Sequence, residues 1–341
     1  MGQNDFVHSR RARPTLRVLR DDLTAGWASP FPRRMLADGQ LTQLHPLSEL
    51  DHPLILKATE SIGTDLSEDS DEGRIRGSTL LHLREIKISQ WRGGVWCDPK
   101  TGVNWLLVAG LAKNNHTAFD DFYVEIERAE AAGSTSDWLP SNEDLRLLKQ
   151  ETSARLLTEW ELSVQRDMLG TLRAVAGGGS ARLVVPHPLE AKGILAQLTI
   201  EVTPVRDFDY EADEIQLTVE TEAQFKGSNL EWQLILRALI SLSPPEQGWD
   251  RLDSEFTNIA EPGAWQRRVQ LLETITASGE LAQSQPGQQA HYTHTKHLAG
   301  STIEGTGVRA LCGAFFVPRQ DHESLPSCPQ CTERLDKIPA E

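Results

Sequence analysis

Residues 79–111 read TLLHLREIKISQWRGGVWCDPKTGVNWLLVAGL and divide into three strand-like pieces, 79–88, 91–97 and 103–111. Apolar and β-branched residues recur in each, and Asp98-Pro-Lys-Thr-Gly102 separates the last two. That interval is a turn signal of the hairpin kind, because Pro presets the entry dihedral and Gly accepts a positive φ. The stretch therefore predicts an antiparallel sheet. A helix is expected before it near residues 53–62, an acidic, Ser-rich loop at 67–74, and a closing helix over 119–132.

Downstream the period changes. Ser141-Asn-Glu-Asp144 resembles a capping box with Asp in the place of the usual Glu or Gln. Leu145, Leu148, Leu156, Leu157, Trp160, Val164, Met168 and Leu172 then follow at the spacing of one helical face. Gly177-Gly-Gly179 stops that helix. It lacks the Gly-Lys-Ser/Thr continuation of a phosphate loop. Residues 182–226 alternate as strands, 230–242 and 263–277 read as helices, and 279–290 form a polar linker. The fold class is α+β. The expected divisions are a flexible basic arm (1–37), a helix-plus-antiparallel-sheet module (38–135), an α+β middle domain (136–278), the linker, and a Cys/His-bearing tail (291–341).

Charge and hydropathy narrow the function classes. The 341 residues carry a net charge of −15, with 39% hydrophobic residues. That is enough apolar material for packed cores, and the acidic balance argues against a general nucleic-acid coat. The longest nearly uncharged apolar run is 103–112. A membrane span needs about 20 apolar residues, so no membrane helix is expected. The first twenty residues carry arginines and no apolar core segment, so no secretory leader is expected and the reading is of a cytoplasmic protein.

The charge is unevenly placed. Between Arg76 and Lys113 the bases Arg76, Arg84, Lys87, Arg92, Lys100 and Lys113 face only the acids Glu85 and Asp98. Cations on neighbouring strands suit a phosphodiester ligand, with Trp91, Trp96 and Trp105 as a stacking platform or, the commoner role for tryptophan, as core. Strand alternation sets Arg84 and Lys87 on opposite faces unless a bulge intervenes. His82 reads as a satisfied sheet histidine and Cys97 as a buried small hydrophobe. In the middle domain, Asp207, Asp209, Glu211, Asp213 and Glu214 lack the spacing of a calcium loop and read as a solvated acidic segment.

Over residues 45–130 the pattern resembles the RelE/HigB-like toxins, ribosome-associated mRNA endonucleases. Leu83-Arg84, then Arg92 and Trp96, then the apolar strand Leu106–Gly110 ending at Lys113, then the helix opening at Asp120–Arg128 carry the likeness. The resemblance implies a metal-independent endoribonuclease that uses the RNA 2′-hydroxyl as nucleophile. Arg84 and Arg92 would stabilise the developing charge, Lys113 would position the phosphate, and His116 or Tyr123 would move protons.

Cys312, Cys328 and Cys331 cluster near the C-terminus, preceded by His291, His294 and His297. Cys328-Pro-Gln-Cys331 can aim two thiolates at one metal across a tight turn, and three thiolates plus one imidazole complete a tetrahedron. A redox pair and unliganded thiols are the rivals. His291-Tyr292, Ala310-Leu-Cys-Gly313, Val317-Pro318 and Pro326-Ser-Cys-Pro-Gln-Cys331 resemble a small zinc-ribbon-like domain of unknown function in actinobacterial and actinophage proteins. That resemblance selects His291 as the fourth ligand of a structural zinc. The leading expectation is an RNA-binding or mRNA-cleaving toxin-like protein with RNA or the ribosome as partner, in phage–host conflict or stress. The alternative is a non-enzymatic zinc-binding scaffold or adaptor contacting protein or nucleic acid.

Overall fold

In the computed structural model the hairpin forms as the sequence predicts, with β3 (Trp91–Cys97) antiparallel to β4 (Asn104–Leu111). The structure describes residues 8–63, 69–70, 73–113, 116, 118–207, 210–243, 249–285, 287, 289–294, 298, 308–316, 318 and 322–338. Asp98 closes the turn by accepting from the Lys100 N–H (2.9 Å) and the Thr101 hydroxyl (2.7 Å). The expected loop at 67–74 lies partly outside the described residues, as do Asn114 and Asn115 beside His116, Asp209, His297 and Val317. The chain divides into two units, Met1–Arg155 and Leu156–Glu341.

In the first unit β2 (Arg84–Ile88) pairs antiparallel with β3, and β1 (Arg13–Pro14) lies parallel to β4, giving the order β1-β4-β3-β2. Helices cover both faces. Leu54, Ile55 and Ala58 of α1 (Pro53–Ser61) pack with Ile86, Leu106 and Ala109 on one face. Phe122 and Ile126 of α2 (Phe122–Ala132) pack with Leu83, Trp105 and Val108 on the other. Gly93 and Gly94 allow this approach. A Cβ on Gly93 would lie 2.7 Å from Leu106 Cδ1, and one on Gly94 would lie 2.8 Å from Leu83 Cδ1 and from Val108 Cγ1.

The expected flexible arm is core from Ala12 onward. Ala12, Leu16, Val18, Leu19 and Leu23 are buried, and the basic side chains that suggested solvation are neutralised locally. Arg13 pairs with Glu151 at 2.7 Å and lies 5.0 Å from the Trp105 ring centroid. Arg17 forms a bidentate pair with Asp22 (3.0 and 2.8 Å) at a π-helical turn. The remaining edge of β4 is also satisfied by this segment, since Arg17 donates to the Leu107 carbonyl and Asp22 accepts from the Ala109 N–H.

The boundary expected at 135/136 falls instead within helix α3 (Asn142–Val175). Its first turns belong to the N-terminal unit because Leu147 and Leu148 join that unit's cores. The capping box is reciprocal, Ser141 N–H to Asp144 Oδ2 (2.8 Å) and Asp144 N–H to Ser141 Oγ (3.2 Å). Asp144 Oδ1 also accepts from the Leu16 N–H at 2.7 Å.

The second unit carries an antiparallel sheet, β5 (Gly179–Pro186), β6 (Ile194–Asp207), β7 (Tyr210–Thr221), β8 (Asp250–Leu252) and β9 (Glu255–Ala260), in the order β5-β6-β7-β9-β8. One face packs against the end of α3, α4 (Asn229–Leu242) and α5 (Ala264–Ala277) around Leu172, Ile200, Leu217, Leu239, Phe256 and Trp265. The acidic segment is a β6–β7 hairpin, and Asp213 is buried in it, paired with Arg206 at 2.7 Å and capped by the Gly263 N–H at 2.8 Å. The expected linker is anchored at Ala282. Its N–H donates to Gln165 Oε1 (2.7 Å), and its carbonyl accepts from Arg237 Nη1 (2.8 Å). No helix among the described residues is long and apolar enough to cross a membrane.

Candidate metal centre

The C-terminal cysteines are held by a small backbone frame. β10 (Val308–Arg309) and β11 (Phe315–Phe316) form a hairpin whose turn carries Cys312. Gly313, at φ +95°, lets the chain reverse there, and its N–H bonds to the Ala310 carbonyl. Cys328 donates its N–H to the Ala290 carbonyl and stands just before α6 (Pro329–Leu335), with Pro329 at the first helical position. Cys331 follows within the first turn of that helix. The Cys-x-x-Cys pair, expected across a tight turn, thus opens a short helix.

This frame brings four ligand atoms, from His291, Cys312, Cys328 and Cys331, within 4.8 Å of one another. His291 Nδ1 lies 3.4 Å from the Cys312 sulfur and 3.6 Å from the Cys331 sulfur. Bond lengths of about 2.3 Å to sulfur and 2.0–2.1 Å to nitrogen in a tetrahedron put sulfur and nitrogen about 3.5 Å apart. The residues therefore fit a metal ion at their centre. His294 is exposed and outside the cluster.

The electrostatics agree. Burial pushes the Cys312 thiol up to about 12, reinforced by the neighbouring Cys331 and Cys328 thiols. Crowded thiols of this kind ionise readily only beside a cation. Burial lowers the His291 pKa, which favours the neutral imidazole that ligates metals. The Phe316 ring stacks on His291 with centroids 5.1 Å apart. His291 Nε2 is buried without a hydrogen-bond partner among the described residues, and His291 lines a cavity of about 570 Å³ with Tyr292, Phe316, Pro318, His322 and Leu325.

The residues expected to act on RNA are only partly brought together. Alternation places Arg84 on the face of Ile86, toward α1, where it pairs with Asp69 at 3.1 Å. Arg92, Tyr123, His116 and Lys113 gather toward α2, among acids. Arg92 Nε donates to the Tyr123 hydroxyl at 3.2 Å, and that hydroxyl donates to Glu85. Lys87 pairs with Glu85 at 3.0 Å, Lys113 with Asp120, and His116 with Asp121 at 3.1 Å. Burial and then the Glu85 carboxylate raise the Tyr123 pKa, which works against its serving as a base. Trp105 is fully buried, so the three tryptophans form no shared platform, and Cys97 is exposed at the end of its strand. Glu85 was missed as an organising group, although its alternation with Lys87 is legible. Asp69 belongs to the acidic stretch 67–74, but nothing local joined it to Arg84.

The geometry thus defines a Cys₃His cluster able to hold a metal, set on a hairpin and a short helix. Residues 283–338, which contain it, match a family described as protein of unknown function (DUF3039). No curated protein and no solved structure matches the chain.

Proposed function

We propose that residues 283–338 form a zinc-stapled module and that the chain acts as a non-enzymatic adaptor. The observation that carries this reading is the pair of sulfur–nitrogen separations at His291 Nδ1, 3.4 and 3.6 Å, which suit tetrahedral coordination. Three thiolates and an imidazole make a closed set, with no position left for a reacting water, so the metal serves to cross-link. Cysteine ligands favour zinc over the hard cations. The hairpin bears only a few apolar side chains, Val308, Ala310 and Phe316 among the buried ones, too small a core to hold the fold alone.

The adaptor reading is preferred over RNA cleavage because Arg84 lies across the sheet from Arg92, and Lys113 and His116 already face carboxylates. Metal analysis of the purified chain tests it. About one zinc per chain is expected, lost in Cys328→Ser and reduced in His291→Ala. Zinc content unchanged in both variants would overturn the reading.

A further inference from the structure

The turn that carries Cys312 is ringed by arginines that the metal cluster does not use. Arg251 on β8 reaches it from the middle sheet, and a Cβ on Gly313 would lie 3.7 Å from Arg251 Nη1 and 3.8 Å from its Cδ. Arg334, near the end of α6, donates from Nη1 to the Leu311 carbonyl at 3.1 Å. Arg309 ends β10 on the approach to the same turn. Arg251 and Arg334 thus approach the Ala310–Gly313 turn from two separate elements, and Arg309, on a third, lies near enough to Arg251 for their charges to act on one another. Burial depresses the Arg251 pKa, and the charges of Arg309 and Arg334 depress it further.

Their orientation is fixed on one side only. Arg251 Nε donates to the Asp253 carbonyl at 3.0 Å, and its guanidinium lies 5.4 Å from the Phe256 centroid. Both Arg251 Nη groups stay without a hydrogen-bond partner among the described residues. Glu231 and Asp253 act on Arg251 in the opposite sense to the other arginines. Neither forms an ion pair with any of the three, and no other described carboxylate does so. Other arginines of the same unit do find carboxylates: Arg206 pairs with Asp213, Arg173 with Glu273 and Arg267 with Glu261. Like charges gathered without a counterion repel, and an anion placed among them relieves that repulsion. The glycine at 313 leaves its approach free of a side chain.

We propose that Arg251, Arg309 and Arg334 form a binding site for a phosphate group on the Ala310–Gly313 turn. Planar guanidinium forks match the paired oxygens of a phosphoryl group, and three positive charges exceed what a single carboxylate would need. The group comes either from a free phosphate or from the backbone of a nucleic-acid strand. The site deepens the adaptor reading by naming the chemistry of its partner, and it rests on that reading only in that Cys312 anchors the turn.

The test is calorimetric titration of the full chain, as purified, with inorganic phosphate, together with fluorescence anisotropy using a short labelled single-stranded RNA. Zinc is quantified in the same samples. Arg251→Gln and Arg334→Gln are each expected to weaken binding at least about tenfold with zinc content unchanged. Arg173→Gln, which removes an equal charge elsewhere, should leave binding as it was. RNA displaced by millimolar phosphate assigns a strand backbone, whereas phosphate bound without RNA assigns the free ion. Zinc present with neither probe bound overturns this site alone, and phosphate bound without zinc overturns the metal reading alone. Should Arg251→Gln fail to fold, the exposed Arg309→Gln and Arg334→Gln carry the comparison. Binding unchanged in both would sink the proposal.

Discussion

Arg13 and Glu151, separated by 138 positions in sequence, form an ion pair at 2.7 Å with side chains only 4% and 13% exposed. Glu151 Oε1 also accepts from the Leu47 N–H at 3.0 Å. Removing one partner leaves the other charge buried without compensation. Glu151→Ala is expected to destabilise the N-terminal unit by roughly 3–5 kcal/mol. The Arg13→Met/Glu151→Met double variant should lose far less than the sum of the two single changes. Urea denaturation of the four proteins checks both statements, and additive losses would show that the pair is not coupled.

The contact also explains what the sequence hides. An Arg- and Pro-rich opening reads as solvated because charge alone is visible locally, and the partner that buries Arg13 lies in a helix far downstream. The hairpin at 91–111 was legible because its turn chemistry and apolar pattern are contiguous. The capping box at Ser141 was legible for the same reason. β8 and β9 were not, since the three exposed residues of Asp250–Leu252 show no inward face. The Cys/His cluster announced itself through residue type and spacing, and His291 needed the family pattern to be chosen over its neighbours. Arg251 had no signal at all, because its place beside Gly313 exists only after folding.

Asp22 supplies a pH dependence. Burial pushes its carboxyl up to about 6, against the opposing pull of Arg17 and the Ala109 N–H. A folded pKa above the unfolded one means the fold favours the protonated form. This group's contribution is therefore complete below about pH 4 and is lost as pH rises through about 6, by up to about 3 kcal/mol. A carbon-detected titration of Asp22 should give a midpoint near 6. Stability relative to Asp22→Asn should fall over the same interval. A midpoint in the ordinary carboxylate range would contradict the assignment.

Gly93 and Gly94 leave no room for growth. Gly93→Ala drives a methyl to within 2.7 Å of Leu106 and 3.2 Å of Leu54. Overpacking of this kind costs roughly 1–3 kcal/mol. Gly94→Ala, pressed against Leu83 and Val108, should cost a similar amount. Gly133→Ala, which meets nothing within 4 Å but holds φ at +65°, separates crowding from backbone strain. Denaturant midpoints for the three variants make the comparison.

The divided placement of Arg84 and Arg92 predicts a negative result for RNA cleavage. RNA incubated with the zinc-replete chain should yield no 2′,3′-cyclic phosphate ends above a buffer control. Arg92→Ala and Lys113→Ala should leave growth on expression unaltered. Cyclic ends that vanish in either variant would restore the nuclease reading.

Ala282, clamped between Gln165 and Arg237, sets a leash. From there to Ala290, whose N–H bonds the Pro326 carbonyl, even a fully stretched chain spans less than about 30 Å. Were the tail to come away from Arg251, its Cys/His cluster would still be confined near the sheet at about millimolar effective concentration.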